Sequence, residues 1–278
     1  MTELNPDQTL VCVHILEKYS EYDSNIPKNF GYKFPDNRCT QPFIFHNKKD
    51  DQLVYLVKTI DLKIEEKNVC FSLPNEIGIS LNIYLEACKK AQKLKEELKA
   101  IIKEQKDFYD HKIKLLYDYI EQVQIALIFS YRALESFCNS IIPYDFVYKK
   151  KNSKGIEESY GVLEIERWIP TSEKLVNIVP KILNCEAPKQ KEFWSFFKEL
   201  EKLRNEVIHS KKSNSVEITK NLLSNDIIKI LNSSLDVLNY YLEQDISNEA
   251  FPLGFVQQGF KLHLIDDPDE VFQWLDKE

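Results

Sequence analysis

The sequence predicts a mainly helical protein, α+β overall, with a small β element near the N-terminus and a β-hairpin-like insertion. Residues 80–142 contain neither proline nor glycine, and their apolar residues recur at helical spacing. Residues 42–73 instead show the alternating apolar pattern of strands. The 278-residue chain has only six glycines and no Gly-x-Gly cluster, which weighs against a Rossmann or P-loop nucleotide site. We therefore expect helices to form the body of the fold.

Residues 1–79 are predicted to be a small mixed region with a β-hairpin. Residues 10–19 suit either a short helix or a strand, and residues 25–40 carry the Pro, Gly, Asn and Asp of a loop. Residues 65–68 are a predicted turn, and residues 69–73 are the returning strand. The strand before this turn places its apolar residues mostly on one alternating face: Val54, Leu56, Ile60, Leu62 and Ile64.

Residues 80–246 are predicted to form a helical domain. From Ile125 to Ile142 the chain is apolar nearly all round, which indicates a helix buried on most sides. Its polar exceptions are Arg132, Glu135 and Asn139, and Pro143 ends it. The helix before it carries an apolar stripe through a Lys/Glu-rich surface: Leu85, Cys88, Ala91, Leu94, Leu98, Ile101 and Ile102.

Residues 143–170 interrupt the helical pattern and are predicted to be an insertion. Residues 146–148, a turn at 152–155 and residues 159–165 suggest a strand, a turn and a second strand. The turn contains Asn, Ser and Gly, which suit the tight reversal of a hairpin. We expect this hairpin-like element to project from the helical domain.

The helical pattern resumes after the insertion. A short helix is predicted over residues 172–184, kinked or split by Pro180. Two longer helices follow over residues 190–209 and 216–244, both with amphipathic spacing. The first of these carries the residues that are most informative about function.

Residues 247–278 are predicted to be a C-terminal extension that packs on the core. Proline and glycine at several positions end the helical pattern there. A strand is expected over residues 260–265, and a last turn over residues 271–275.

The net charge of −7 means that any contact with nucleic acid must be local. Two lysine clusters are the candidate RNA contacts, and the alternative for both is an ordinary solvated loop. They are Lys149, Lys150 and Lys151 in the insertion, and Lys211 and Lys212 after the helix at 190–209.

Cysteine spacing and hydropathy favour a cytoplasmic protein without metal or cofactor. The six cysteines show no Cys-x-x-Cys spacing, so we expect no zinc site and a reducing compartment. No basic segment followed by an apolar one opens the chain, so no signal peptide is expected. The longest apolar run, residues 125–129, is far too short to span a bilayer, and no membrane association is expected.

The stretch from Arg204 to His209 closes an amphipathic helix. It places an arginine, the adjacent amide of Asn205 and a histidine within about a turn and a half of one helix. Such a set can hold a phosphate, position it and transfer a proton. The chain has only four arginines among its 37 basic residues, so Arg204 is not generic surface charge.

A helical wheel places Arg204 inside an apolar stripe, where an unpaired charge is too costly. Glu135 is equally out of place in the other strongly apolar helix, so we expect it to pair with Arg204 or with Arg132, and the two helices to pack antiparallel. The alternative is that this pair only fixes the register of the helices. The stripe consists of Phe193, Phe196, Leu200, Leu203 and Val207.

The string Arg-Asn-x-x-x-His at residues 204–209, which closes an apolar helix that follows a longer one, resembles the signature of HEPN domains. The resemblance covers residues 122–241. It implies a HEPN-like antiparallel helical bundle that is usually dimeric. Many such proteins are metal-independent ribonucleases of bacterial toxin and antiviral systems. It therefore implies an endoribonuclease that cleaves RNA by 2′-hydroxyl attack, as a defence or toxin effector.

In the ribonucleases that this chain resembles, the Arg and His of two protomers converge at a dimer cleft. Carried over, Arg204 holds the scissile phosphate, His209 serves in proton transfer and Asn205 helps position the site. The supporting residues would be Glu135, Arg132 and Asn139. The expected partners are RNA, a second copy of the chain, and an activator or antitoxin protein.

The sequence departs from one toxin branch of the family, and two other functions stay open. In that branch the histidine is followed by x-Tyr, and the tyrosine is modified by a nucleotidyltransferase antitoxin. Here Ser210 and Lys211 follow, which argues against that route. The first alternative is a non-catalytic HEPN-like module that binds RNA, a nucleotide or a partner protein. The second is an unrelated helical scaffold that uses the charged helix at residues 86–120.

Overall fold

The computed structural model describes residues 9–18, 36–104, 113–209, 212–245, 248–255, 262–267 and 270–271. Helices predominate and a small sheet accompanies them, as the sequence predicted. The chain divides into two compact units, one of residues 1–78 with 245–278 and one of residues 79–244. The C-terminal segment, expected as an extension on the core, therefore groups with the N-terminal residues.

The first unit contains a five-stranded sheet. Its strands are β1 (Thr9–Lys18), β2 (Phe43–Asn47), β3 (Gln52–Ile64), β4 (Lys67–Ser72) and β7 (Leu262–Ile265). The order is β1-β3-β2-β7, and β4 also pairs with β3. All pairs are antiparallel except β2 with β7, which is parallel. The sheet expected for residues 42–73 is thus present, and both ends of the chain contribute further strands to it.

Among the side chains that the structure describes, those of three strands contribute to a core of the sheet. The buried cluster draws on three strands and on the last described residue: Phe43, Phe45, Val54, Leu56, Ile265 and Val271. The β3–β4 turn at Glu65 and Glu66 has positive φ angles of 46° and 66°. Leu62 and Ile64, predicted on the packed face, are 42% and 51% exposed. The alternating apolar pattern of β3 therefore extends beyond the part of the strand whose side chains are buried.

Two long helices occupy the stretch predicted as one nearly uninterrupted helix, α1 (Glu76–Glu104) and α2 (Ile113–Ser140), and residues 105–112 lie outside the described residues. The buried face of α1 differs from the predicted stripe, because Leu85 and Ile102 are exposed. The face is rotated about the helix axis to include Ile77, Leu81, Tyr84, Ala87, Ala91 and Leu98.

The insertion forms a two-stranded hairpin, β5 (Tyr148–Lys151) and β6 (Glu157–Tyr160), followed by helix α3 (Val162–Trp168). Gly155 takes a φ of +77° in the turn, a conformation that favours glycine. The second strand, predicted to reach residue 165, is therefore too long. The carboxylate of Glu164 accepts a hydrogen bond from the Gly161 N–H at 2.8 Å, which caps α3 and ends the strand.

A continuous but irregular helix follows, made of α4 (Thr171–Glu173), a π-helical turn (Lys174–Ile178) and α5 (Val179–Leu183). Within it the Val179 N–H donates to the Lys174 carbonyl, five residues back. Pro180 has no N–H to continue an α-helical register, so the wider π turn accommodates it. The irregularity predicted at Pro180 is thus a π turn, which lies just before the proline.

The last helices are α6 (Phe193–Ile208), α7 (Ser215–Leu222) and α8 (Ile227–Gln244). The single helix predicted over residues 216–244 is wrong, because the chain breaks at residues 223–226. That break contains Ser, Asn and Asp, whose side chains favour caps over helix interiors. Helices α6 and α8 run antiparallel, with the Phe193 ring 6.3 Å from the Tyr240 ring and the Lys229 ammonium 5.8 Å from the Phe196 ring.

Helix α2 packs against both α6 and α8. The Phe137 ring lies 5.6 Å from the Tyr241 ring, and the Tyr131 ring stacks on Phe197 at 6.4 Å. Further along α2, Glu135 contacts Arg204, which is also further along α6. Helices α2 and α6 therefore touch, as the sequence predicted.

Candidate functional site

Helix α6 carries Arg204 at the margin of its buried face. Phe197, Leu200 and Leu203 are buried, whereas the Arg204 side chain keeps 23% of its surface exposed. The next residue, Asn205, is exposed. The sequence predicted the stripe but not Phe197, which takes the central buried position.

The Arg204 guanidinium contacts three neighbours. Its Nη2 lies 3.4 Å from Glu135 Oε1, its Nη1 donates to Asn205 Oδ1 at 3.0 Å, and its Cζ lies 4.9 Å from the centre of the Tyr131 ring. The expected contact between Arg204 and Glu135 is therefore confirmed. Its Nε is buried and has no hydrogen-bond partner among the described residues. This donor is thus left without a hydrogen bond, which costs free energy because the nitrogen is buried.

Helix α2 presents three residues at intervals of four to this arginine and its surroundings. Tyr131, Glu135 and Asn139 lie on one face because four residues make about one turn. The Tyr131 hydroxyl donates to Glu201 Oε1 at 3.0 Å, and burial raises the pKa of Tyr131. Glu201 also pairs with Lys198. The α2 face therefore holds the α6 side chains in fixed positions.

These residues open onto a cavity of about 420 Å³. The α2 and α6 residues form one side of it, and the α3–α4 segment forms the other. The lining residues are Tyr131, Glu135, Asn139, Glu166, Arg167, Trp168, Ile169, Pro170, Thr171, Lys174, Glu201, Arg204 and Asn205.

Lys174 is the most buried charged residue of this lining, with 2% of its surface exposed. Its ammonium donates to Asn139 Oδ1 at 2.8 Å and to the Glu166 carbonyl at 3.1 Å. Both acceptors are neutral, and no salt bridge joins Lys174 to a carboxylate of the described residues. Burial lowers the pKa of this ammonium, since desolvation penalises the charged form.

His209 lies apart from this cavity. It follows the last residue of α6, is exposed, and donates its backbone N–H to the Asn205 carbonyl at 2.9 Å. It lines a second cavity of about 390 Å³ with Lys202, Asn205, Glu206, Asn214 and Ile218. The structure therefore brings Arg204, Asn205, Glu135 and Asn139 together, but within one chain Arg204 and His209 face different cavities. Asn205 lines both.

The remaining predicted residues are less closely tied to the site. Arg132 is exposed and is not part of either lining. Lys149 lies 3.7 Å from Glu157, and Lys150 lies 3.0 Å from Glu173 and 5.3 Å from the Tyr160 ring. Lys151 is exposed at the end of β5. Carboxylates thus partly neutralise the first lysine cluster.

The second lysine cluster is largely outside the described residues. Lys211 lies wholly outside the described residues, and only the backbone of Lys212 is described. The RNA contacts predicted there stay predictions.

Sequence reasoning missed several lining residues. Tyr131 could have been found, because it lies one turn before Glu135 on the same face of α2. Lys174, Arg167 and Trp168 could not, because they reach the cavity through the insertion and the π turn. Neither feature leaves a periodic signal in the sequence.

No group of three His, Cys, Asp or Glu side chains that could hold a metal ion occurs among the described residues. Within the same part of the chain, no helix has the length and apolar character needed to cross a membrane. The hydrogen-bond donors on the side chains that line the two cavities include amide, guanidinium, ammonium, hydroxyl and imidazole groups.

Comparison of the chain with protein-family models, with curated proteins and with solved structures gives no match. The resemblance to HEPN domains therefore rests on the residues from Arg204 to His209 and on their place at the end of α6. The geometry of the two cavities is independent of that resemblance.

Proposed function

We propose that this protein is a metal-independent endoribonuclease of HEPN type, which cleaves RNA by attack of the 2′-hydroxyl at a dimeric Arg/His site. The observation that carries the proposal is the setting of Arg204. Its guanidinium is held by Glu135, Asn205 and Tyr131 at an open polar cavity, and it keeps a buried donor without a partner. An oriented guanidinium of this kind suits a phosphodiester.

Each motif residue has a role in the proposed reaction. Arg204 binds the scissile phosphate and stabilises the charge that develops on it. Asn205 orients the Arg204 side chain through its amide oxygen and lies between the two cavities. His209 transfers the proton, because an imidazole can both accept and donate one. As in the toxins and antiviral effectors with this motif, the proposed role is bacterial defence.

The proposal requires two copies of the chain. Within one chain Arg204 and His209 face different cavities, so a single copy does not present them to one phosphate. In a two-fold symmetric dimer built on the ends of the two α6 helices, His209 of the second copy would face the first cavity. Such an interface uses the same surface twice. Light scattering should show a dimer at micromolar concentration, and a strictly monomeric protein would contradict the composite site.

Cleavage of RNA in the presence of a chelator tests the chemistry. The products should carry a cyclic phosphate and a 5′-hydroxyl, and an all-DNA strand should stay intact because it lacks the 2′-hydroxyl. His209→Ala should abolish cleavage, as should Arg204→Lys, which lacks the planar fork. Asn214→Ala removes a neutral side chain from the His209 cavity and should retain activity. Undiminished cleavage by His209→Ala would overturn the mechanism.

A non-catalytic RNA-, nucleotide- or partner-binding module is the second candidate. The separation of Arg204 from His209 within one chain favours it. A module of this kind should bind RNA equally well as wild type and as His209→Ala, with no cleavage by either. Binding with cleavage that depends on His209 would exclude it.

A further inference from the structure

The first cavity contains a buried cation that forms no salt bridge with a carboxylate of the described residues. Lys174 is 2% exposed, and its ammonium bonds only to the Asn139 amide oxygen and the Glu166 carbonyl among the described residues. A buried ammonium ordinarily pairs with an anion, because neutral acceptors only partly replace its hydration. Two of its three N–H donors are used by these bonds, so one is left for a ligand.

A second cation, Arg204, lines the same cavity, and its partner on α2 lies one helical turn from the partner of Lys174. Glu135 holds Arg204, and Asn139, four residues later, holds Lys174. Four residues of helix span about 6 Å. Arg204 and Lys174 thus line one cavity from anchors one turn apart on α2, and both carry donors that suit the oxygens of a phosphate group.

The charged side chains of the lining are three basic and three acidic, so what matters is how they pair. Arg204 is balanced by Glu135, and Glu201 by Lys198, which lies outside the lining. Lys174 has no such partner. Glu166 and Arg167, also of the lining, are both exposed and of opposite sign. The buried ammonium of Lys174 is therefore the interior charge of this lining that no salt bridge of the described residues satisfies.

An aromatic side chain completes the site at its rim. Trp168 ends α3, lines the cavity and leaves 63% of its surface exposed. An indole of this size is costly to leave in water, and nucleobases stack readily on such rings. A cation pair inside the cavity and an exposed indole at its edge correspond to the phosphate and the base of one nucleotide.

We infer that this cavity binds one ribonucleotide, with its phosphate between Lys174 and Arg204 and its base on Trp168. The ligand is either a free nucleotide or a nucleotide within an RNA chain, and in the second case the inference rests on the proposed function. Lys174 then acts as a phosphate-binding residue that adds to Arg204. Glu135 shares Arg204 with the incoming phosphate.

Calorimetric titration with adenosine 5′-monophosphate, a hexaribonucleotide and inorganic phosphate tests this site. Lys174→Met keeps the length of the side chain and should weaken binding of the nucleotide by tenfold or more, since a charge-assisted hydrogen bond is lost. Lys181→Met, on neighbouring α5 and exposed, is the matched control and should bind like wild type. Equal affinity of Lys174→Met and wild type would overturn the inference.

Trp168→Ala provides a second test in case Lys174→Met fails to fold. Trp168 is mostly exposed, so its removal should leave folding intact. It should weaken binding of the nucleotide and leave binding of inorganic phosphate unchanged. Unchanged binding of the nucleotide would overturn the placement of the base. Binding of the monophosphate assigns the free nucleotide, binding of the hexaribonucleotide alone assigns RNA, and binding of neither overturns the site.

The outcomes also separate this inference from the proposed function. RNA cleavage that is unaffected by Lys174→Met would reject the contact of Lys174 with a phosphate of RNA and leave the ribonuclease proposal standing. Nucleotide binding that depends on Lys174, with no RNA cleavage by wild type, would support the site and reject the ribonuclease proposal.

Discussion

At the scale of single residues, the pair of Arg204 and Glu135 is a contact at the edge of a cavity. Two charges on apolar helices predicted a buried pair, for which loss of one partner costs about 3–5 kcal/mol. The side chains are in fact 23% and 37% exposed, and the two atoms are 3.4 Å apart. Water therefore screens the interaction and can solvate the remaining charge when one partner is removed.

Glu135→Ala should consequently lower the free energy of unfolding by only about 1 kcal/mol or less, as for partly exposed ion pairs. Urea unfolding followed by circular dichroism measures this change. Glu121→Ala, exposed on the same helix, is the control and should leave stability within about 0.5 kcal/mol of wild type. A loss above about 3 kcal/mol for Glu135→Ala would mean that the pair is fully desolvated after all.

Lys174 should make stability depend on pH. Burial lowers its pKa below the usual 10.5. Between the folded-state pKa and 10.5 the unfolded chain binds a proton that the folded chain does not, so this group makes the free energy of unfolding rise with pH in that window. Below the window the cost of burying the charge is fully present.

Urea unfolding of wild type and Lys174→Met from pH 7 to pH 10.5 checks this sign. The stability of wild type relative to the variant should increase as pH rises. Lys181→Met should follow the pH profile of wild type, because Lys181 is exposed. Parallel profiles for wild type and Lys174→Met would contradict the expected shift.

At the scale of elements, the π turn at Lys174–Ile178 places Lys174 at the cavity and needs support from α8. The buried Tyr241 hydroxyl on α8 donates to the carbonyl of Leu175 within this turn. The adjacent Tyr240 donates to the Glu186 carbonyl at 2.8 Å in an exposed setting. Both tyrosine hydroxyls therefore donate to a backbone carbonyl, but the bond of Tyr241 is buried and that of Tyr240 is exposed.

Tyr241→Phe should lower the free energy of unfolding by about 1–3 kcal/mol, since it leaves a buried carbonyl without its donor. Tyr240→Phe is the matched control and should cost about 0.5 kcal/mol or less, because water replaces the lost partner. Thermal or urea unfolding of both variants measures the difference. Equal losses would show that burial of the Leu175 carbonyl is not what makes the bond important.

At the scale of the whole molecule, segments near the beginning and near the end of the sequence, β1 and β7, belong to the same sheet of the first unit. Strand β7 pairs in parallel with β2, with Phe45 opposite His263 and Asn47 opposite Ile265. Ile265 is 5% exposed and belongs to the core cluster of the sheet, whereas the preceding Leu264 is 57% exposed. The C-terminal strand thus contributes to a core formed largely by residues 43–56.

Ile265→Asp should expose this unit to solvent, because a carboxylate without a partner costs several kcal/mol in an apolar core. Hydrogen exchange should become faster in β2 and β3, while α6 and α8 in the second unit keep the protection of wild type. Leu264→Asp changes the other face of the same strand and should leave exchange unaltered. Unchanged protection of β2 in Ile265→Asp would contradict the role assigned to β7.

Local pattern predicted most of the elements and four of the residues that line the first cavity, Glu135, Asn139, Arg204 and Asn205. Alternation gave the strands at 43–72, turn residues gave the hairpin at 148–160, and helical spacing gave α2 and α6. Each of these patterns can be recognised in a short stretch of sequence, because it reflects which face of a single element is buried. The prediction missed the break at residues 223–226, because the amphipathic pattern continues on both sides of it. Three consecutive residues that favour caps end the helix there in spite of that pattern.

The sequence by itself determined that Arg204 and Glu135 are a pair, since a charge on an apolar helix has to find an opposite charge. Only the tertiary structure decided which other groups meet them. Lys174 reaches the same cavity through a π turn, and His209 opens onto a different one. The reason is physical: periodicity specifies which face of an element is buried, but the convergence of side chains from distant segments depends on how those faces pack.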